Sequence, residues 1–239
     1  MSIKAILFDL DGTLVPMDQE FFIKLYFKSL AEYMKPYGYE SESFIASMWR
    51  SIKTMMKNDG NDINERVFWS DFEKIYGERA KKDREHIDDF YKHDFIKTKV
   101  ACGYSEHAKE TVELAKSLGF RVVLATNPVF PRIATESRIA WAGCVPEDFE
   151  LITTYENSSY SKPSLGYYRE ILKKLELLPE ECLMVGNDTR DDMSANELGM
   201  NVFLLTDCLI NENNVDISKY PHGSFFELCE YIKNLKENN

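Results

Sequence analysis

The stretch K-A-I-L-F-D-L-D-G-T-L, residues 4–14, decides how this chain folds. Its apolar run, bounded by a lysine and a glycine, is typical of a β-strand that is buried on both faces. Asp9 and Asp11 stand at the end of the run, and residues two apart in an extended backbone project to the same side. Two carboxylates this close need a proton or a cation between them. The stretch therefore predicts a buried strand that ends at an acidic cleft, where a hard ion such as Mg²⁺ would hold a phosphate oxygen.

The composition is that of a globular protein with an acidic surface. The 239 residues are 44% hydrophobic, so the chain can bury a substantial core. Forty Asp and Glu against 29 Lys and Arg give a formal net charge of −11, which repels nucleic acid and anionic lipid at long range. We therefore expect no nucleic acid and no membrane as partner. A small phosphorylated metabolite is compatible with this charge, because a metal ion and a few cations can dominate one cleft.

The cysteines and the first residues bear on the cellular compartment. Five cysteines occur singly, without a C-x-x-C pair, which favours reduced thiols. The N-terminal apolar run is interrupted by Asp9 and Asp11, so it predicts neither a signal peptide nor a membrane span. We expect a cytoplasmic protein, either a monomer or a homodimer.

A change of pattern after Asp18 predicts an inserted helical block. Apolar residues recur at helical spacing up to about residue 97, and no run there is typical of a buried strand. The Met and aromatic stripe from Phe44 to Met56 is interpreted as the core of this block rather than as a substrate pocket. We predict an all-helical domain at residues 16–97, which is an ordinary size for a small domain.

Strands and helices alternate through the rest of the chain. Helical patterns separate short apolar runs at residues 120–127, 151–153, 182–185 and 201–205. Such alternation predicts a doubly wound α/β fold, in which a parallel sheet carries helices on both faces. Segments 1–15 and 98–239 would form this core, with the functional site at the carboxyl ends of the strands.

Four motifs, in this order, resemble those of the haloacid dehalogenase superfamily. D-L-D-G-T-L at residues 9–14 matches the opening motif, Thr126-Asn127 matches the second and Lys162-Pro163 the third. The sequence G-N-D-T-R-D-D at residues 186–192 resembles the acidic fourth motif. The resemblance covers the whole predicted core, and it implies a Rossmann-like domain with a helical cap inserted after the first strand.

The resemblance implies a role for each motif residue in an Mg²⁺-dependent phosphohydrolase. Asp9 would be the nucleophile that takes up the phosphoryl group as an aspartyl phosphate, and Asp11 would be the general acid and base. Thr126 would bind a phosphoryl oxygen, with help from Asn127. Lys162 would neutralise charge at the nucleophile and the phosphate. The implied catalytic residues are Asp9, Asp11, Thr126 and Lys162, and the implied phosphate ligands are Thr126, Asn127 and Lys162.

The metal ligand of the fourth motif is left open. The resemblance implies that Asp9, Asp11 and Asp188 hold Mg²⁺. Members of the superfamily commonly have Gly-Asp where this chain has Gly186-Asn187, so the alignment favours either Asn187 or Asp188 at the ligand position. The four candidates for contact with the metal are Asn187, Asp188, Asp191 and Asp192.

The resemblance and the inserted block together imply hydrolysis of a small-molecule phosphate monoester. Asp11 argues against carbon–halogen cleavage, because a leaving halide needs no proton. A cap closing over the cleft would exclude water and favour small diffusible substrates. Two alternatives stay open: a phosphomutase of the same superfamily, and a non-catalytic phosphometabolite-binding protein on this scaffold.

Overall fold

A computed structural model of the chain describes residues 2–237 and contains a six-stranded parallel sheet in the order β3-β2-β1-β4-β5-β6. β1 is central and pairs with β2 and β4 on either side. The predicted doubly wound α/β fold is confirmed. The strands are β1 (Ala5–Phe8), β2 (Arg121–Leu124), β3 (Leu151–Ile152), β4 (Cys182–Gly186), β5 (Asn201–Leu205) and β6 (His222–Gly223).

Helices cover both faces of the sheet, which explains why β1 is apolar at every position. Ile6 and Phe8 pack in a core shared with α5 and α8, whereas Ala5 and Leu7 pack on the opposite face with α7. All four side chains are fully buried, and burial of a large apolar side chain stabilises the fold by about 1.5–3 kcal/mol. The helices of this part of the chain are α5 (Glu106–Ser117), α6 (Arg132–Trp141), α7 (Leu165–Leu175) and α8 (Phe225–Glu237).

Of the helices between β1 and β2, the first four α-helices form a block whose aromatic core also includes Trp141 of α6. Asp18 caps the first of them, because its side chain accepts a hydrogen bond from the backbone N–H of Phe21. The chain enters and leaves the block side by side, and Met17 forms an antiparallel bridge with Cys102. The division of the chain at residues 15 and 98 remains our proposal. The helices are α1 (Gln19–Met34), α2 (Ser41–Met56), α3 (Asn64–Tyr76) and α4 (Glu78–His93).

The observed elements differ from the sequence expectation in three places. β2 ends at Leu124, three residues before the predicted end, because the chain leaves the sheet there to line a cleft. The helix predicted before Gly199 is the short 3₁₀ helix Met193–Leu198, since few residues separate the fourth motif from that glycine. β6 was not predicted, and it has only two residues. None of the helices within residues 2–237 is both long and apolar enough to cross a bilayer.

Candidate active site

The residues that the sequence analysis selects lie together at the carboxyl edge of the sheet. β1, β2 and β4 run parallel, so the residues that follow them meet at one edge. A cavity of about 280 Å³ opens there, between the sheet and the helical block. All the selected residues line it, namely Asp9, Asp11, Thr126, Asn127, Lys162 and Asp188.

Lys162 joins two carboxylates at the floor of the cavity. Its Nζ donates to Asp9 Oδ1 at 2.8 Å and to Asp192 Oδ1 at 2.6 Å, and the three side chains are only 1%, 9% and 2% exposed. Burial alone would lower the pKa of Lys162, but the charges of Asp192 and Asp9 outweigh it and place this pKa well above its usual value. The ammonium group therefore stays charged at neutral pH and offsets the charge of Asp9.

Asp192 is the second partner of Lys162, a contact that the resemblance to the superfamily did not imply. Burial raises the pKa of Asp192, while the positive charge of Lys162 acts in the opposite direction. Its second oxygen, Oδ2, accepts a hydrogen bond from the backbone N–H of Asp188 at 3.0 Å. Gly186, at the end of β4, makes room for this carboxyl group, because a Cβ atom built on Gly186 would overlap it.

We expect the substitution Gly186→Ala to displace Asp192 and to lower the free energy of unfolding by about 1–3 kcal/mol, the usual cost of overpacking. The added methyl group meets the Asp192 carboxyl group, which Lys162 fixes from the other side. Urea denaturation measures the loss of stability. Gly103→Ala is a control for the glycine-to-alanine change without this overlap, since Gly103 has no positive φ and a Cβ atom there comes no closer than 3.3 Å to Pro16; equal losses in both variants would contradict the explanation.

Asp9 is oriented by a second hydrogen bond. The hydroxyl group of Thr13 lies 3.2 Å from Asp9 Oδ2 and 3.1 Å from Asn187 Oδ1, so it stands between the first and the fourth motifs. Gly12 allows this approach, because its φ is +83° and a Cβ atom would overlap the amide group of Asn187. With Lys162 on Oδ1 and Thr13 on Oδ2, the Asp9 carboxylate has one fixed position in the cavity.

Asp11 is paired with an arginine that the sequence analysis missed. Arg138 lies on α6, is fully buried, and donates from Nη1 to Asp11 Oδ2. Its Nε donates to the carbonyl oxygen of Ala134 at 3.2 Å, and its guanidinium carbon lies 4.3 Å from the ring centre of Phe130. The other carboxylate oxygen, Asp11 Oδ1, is buried without a hydrogen-bond partner. Burial raises the pKa of Asp11, and the charge of Arg138 acts against this rise.

We expect Arg138→Met to lower kcat by up to about 10²-fold, because Asp11 is retained but loses the partner that orients it. Removal of the positive charge lets the pKa of Asp11 rise further, so the limb of the pH–rate profile that reports Asp11 should move to higher pH. Arg138→Lys keeps the charge and should leave the limb near its original pH. Full pH–rate profiles of both variants test this, and an unshifted limb in Arg138→Met would contradict the pairing.

The fourth motif forms a tight turn around Asp188. Asp188 Oδ1 accepts hydrogen bonds from the backbone N–H groups of Arg190 at 2.7 Å and Asp191 at 3.0 Å. Asn187 instead shares the hydroxyl group of Thr13 with Asp9. The assignment of Asp188 as a metal ligand stays a prediction. Asn187 is linked to Asp9 through the hydroxyl group of Thr13.

The oxygen donors of the cavity fit a hard divalent cation. Within residues 2–237, no three or more acidic, His or Cys side chains are grouped as a metal cluster. Mg²⁺ commonly binds proteins through one or two carboxylates and completes its coordination with water and substrate phosphate, so such a cluster is not required. The unpartnered Oδ1 of Asp11, next to Asp9, is an oxygen in need of a cation. Five carboxylates line the cavity with a single lysine: Asp9, Asp11, Asp188, Asp191 and Asp192, with Lys162.

The roof of the cavity comes from α1 and α2. The stripe on α2 has two sides: Phe44, Met48 and Met55 are buried in the core of the block, as the sequence analysis expected. Trp49, Ile52 and Met56 also line the cavity; the interpretation as core is therefore incomplete for Trp49 and Ile52, which pack against that core as well, and wrong for the exposed Met56. The helical period identifies an apolar face, but it does not show whether that face meets another helix or a cleft.

The fold and the site define an α/β enzyme core with a carboxylate at the end of its central strand, a buried lysine beside it, and a helical block above. A family model for haloacid dehalogenase-like hydrolases matches residues 3–199, and the chain belongs to this family. The resemblance seen in the four sequence motifs is confirmed.

Relatives with known names agree with this family. The glyceraldehyde 3-phosphate phosphatase of Methanocaldococcus jannaschii is 25% identical over 255 residues, covering 99% of this chain and all of that protein. The pyrophosphatase PpaX of Bacillus thuringiensis is 24% identical and covers 83% of this chain and 81% of its own length. The structure of the HAD-hydrolase YfnB from Bacillus subtilis, described as bound to magnesium, aligns with a TM-score of 0.54 at 17% identity over 97% of this chain and 99% of that one. The prediction of a phosphatase-type enzyme is confirmed.

Proposed function

We propose that this protein hydrolyses a small-molecule phosphate monoester, with Mg²⁺, through an aspartyl phosphate on Asp9. The observation that carries the proposal is the Asp9 carboxylate, which Lys162 and Thr13 hold at the floor of the cavity. A carboxylate fixed in this way needs little reorientation before it attacks phosphorus, and this lowers the entropic part of the barrier. The charge of Lys162 offsets the repulsion between the nucleophile and the phosphoryl oxygens.

Asp11 has the position and the environment of an acid–base group in this proposal. It follows Asp9 by two residues and lines the same cavity. Burial raises its pKa, which suits a carboxyl group that gives a proton to the leaving oxygen and then, as the carboxylate, removes a proton from the attacking water. Arg138 fixes the carboxyl group from behind during both steps.

Thr126 and Asn127 complete the proposed phosphate site. Thr126 is buried directly after β2, and Asn127 Oδ1 accepts the backbone N–H of Lys162 at 3.3 Å. The Mg²⁺ ion would be held by Asp9, Asp11 and an oxygen of the fourth motif, and it would neutralise phosphoryl charge when bound. The excess of carboxylates over cations in the cavity supports the proposed need for a metal ion, since an anionic substrate would otherwise be repelled.

We infer that the partner of the protein is a small phosphorylated metabolite in the cytoplasm. The acidic net charge of −11 disfavours nucleic acid and anionic lipid. The cysteines at positions 102, 144, 182, 208 and 229 are all unpaired, which suits a reducing compartment.

The proposal is tested by release of inorganic phosphate from p-nitrophenyl phosphate and a panel of metabolite phosphates, with Mg²⁺ and with EDTA. Release that requires Mg²⁺ supports a phosphatase. Interconversion of phosphate isomers without proportional phosphate release would favour the phosphomutase alternative. Binding of phosphorylated compounds with no turnover across the panel would favour the non-catalytic alternative.

A further inference from the structure

The roof of the cavity is apolar, in contrast to its acidic floor. α1 contributes Phe22, Tyr26 and Phe27 from one helical face, and α2 contributes Trp49 and Ile52 from another. The rings of Phe27 and Trp49 lie 4.7 Å apart between their centres, which joins the two faces into one surface. The space above the phosphate site is therefore enclosed by aromatic and aliphatic side chains.

The roof offers a ligand no charge and few hydrogen-bonding groups, namely the indole N–H of Trp49 and part of the Gln19 amide. Of the lining residues in the described part of the chain, only Lys162 is a lysine, arginine or histidine, and it lies on the floor. The hydroxyl group of Tyr26 is bonded to that of Tyr91 at 2.6 Å, within the core of the helical block. The amide group of Gln19 donates to the backbone oxygen of Asp11 at 3.3 Å. The Tyr26 hydroxyl and one Gln19 N–H are therefore already in use, and the other side chains that α1 and α2 contribute are mainly apolar.

Resting on the proposed phosphatase function, we propose that the alcohol esterified to phosphate in the substrate is apolar. An alkyl or aryl group would pack against the apolar side chains of the roof, whereas buried hydroxyl groups without hydrogen-bond partners are disfavoured. A second anionic group is disfavoured more strongly, because the roof offers it no cation.

Matched pairs of substrates test this inference. Cyclohexylmethyl phosphate has the ring size of glucose 6-phosphate without its hydroxyl groups, and propyl phosphate has nearly the length of phosphoglycolate without its second anion. Both members of a pair leave as alcohols, so the comparison reports recognition more than leaving-group reactivity. We expect kcat/KM to be at least about tenfold higher for the apolar member of each pair.

Met56 allows a test by substitution, since it lines the cavity and is 40% exposed, so a longer polar side chain should not disturb the core. Met56→Arg should raise kcat/KM for phosphoglycolate and lower it for propyl phosphate. Phe21→Arg, which adds the same charge at an exposed position of α1 outside the lining, should change neither.

The apolar substrate class and the phosphatase function can be contradicted by different results. Phosphate release with equal or higher kcat/KM for the hydroxylated or anionic members would overturn the apolar substrate class and leave the phosphatase function standing. Absence of phosphate release from every compound, in the presence of Mg²⁺, would contradict the phosphatase function itself. An unchanged preference in Met56→Arg would also count against the role of the roof.

Discussion

Asp9→Asn is expected to lower kcat/KM by about 10⁴-fold or more, the order of loss seen when a nucleophile is removed. An amide group has nearly the shape of the carboxylate but cannot attack phosphorus. Lys162 keeps Asp192 as its partner in this variant, so the fold should be retained. Initial rates of phosphate release from p-nitrophenyl phosphate at saturating Mg²⁺ measure the effect.

The control for Asp9→Asn is the same chemical change at an exposed turn of the helical block. Asp59→Asn removes one negative charge at an exposed residue that does not line the cavity, and it should leave kcat/KM within about twofold of the parent. Circular dichroism of both variants confirms that any difference does not come from unfolding. Activity of Asp9→Asn within tenfold of the parent, with the fold intact, would exclude Asp9 as the nucleophile.

Lys162→Met is expected to lower the free energy of unfolding by about 3–5 kcal/mol, the usual cost of removing one partner from a buried ion pair. The substitution leaves Asp9 and Asp192 buried within the same pocket without their common cation. Burial already raises the pKa of Asp192, and loss of the opposing Lys162 charge raises this pKa further, so stability is lost as the pH rises through it. The loss should therefore be larger at pH 8 than at pH 5.

Two controls separate this charge effect from loss of packing. The double variant Lys162→Met/Asp192→Asn removes one carboxylate as well and should regain part of the stability without regaining activity. Lys4→Met breaks the exposed pair with Glu181, which should cost at most about 1 kcal/mol. Urea denaturation curves of all three variants measure these differences, and a loss in Lys162→Met no larger than in Lys4→Met would refute the buried pair as a stabilising element.

The sequence predicts the sheet and the floor of the site because their determinants are local. β1 is a continuous apolar run followed at once by Asp9 and Asp11, and burial on both faces requires such a run. β4 and β5 are equally apolar and were predicted in nearly their observed positions. The residues that follow parallel strands meet at one edge whatever lies between them in sequence.

The pairing of Arg138 with Asp11 could not be predicted, because it joins residues 127 positions apart. One local feature does indicate that Arg138 is unusual. It lies one turn after Ala134 and beside Ile139, on the buried side of α6, where an arginine needs a partner. The sequence shows the need for a buried acid, but it does not identify Asp11.

The roof of the cavity could not be predicted either, for a different reason. Trp49 and Met48 are adjacent on α2 and equally apolar, yet the first lines the cavity and the second lies in the core of the block. Which side meets the cleft depends on how the block packs over the sheet, and this is decided by contacts between distant residues. The apolar substrate class inferred above therefore follows from the structure alone.

The central claim, phosphoryl transfer to Asp9, is tested most directly by trapping the phosphorylated residue. Asp11→Asn removes the base that would activate water, whereas p-nitrophenyl phosphate needs no acid to release its phenolate. The intermediate should therefore form and persist in this variant. Acid quenching followed by mass spectrometry is expected to show one phosphoryl group on the peptide that contains Asp9. A burst of p-nitrophenolate with no phosphoryl group on Asp9, or with the group on another residue, would contradict the mechanism.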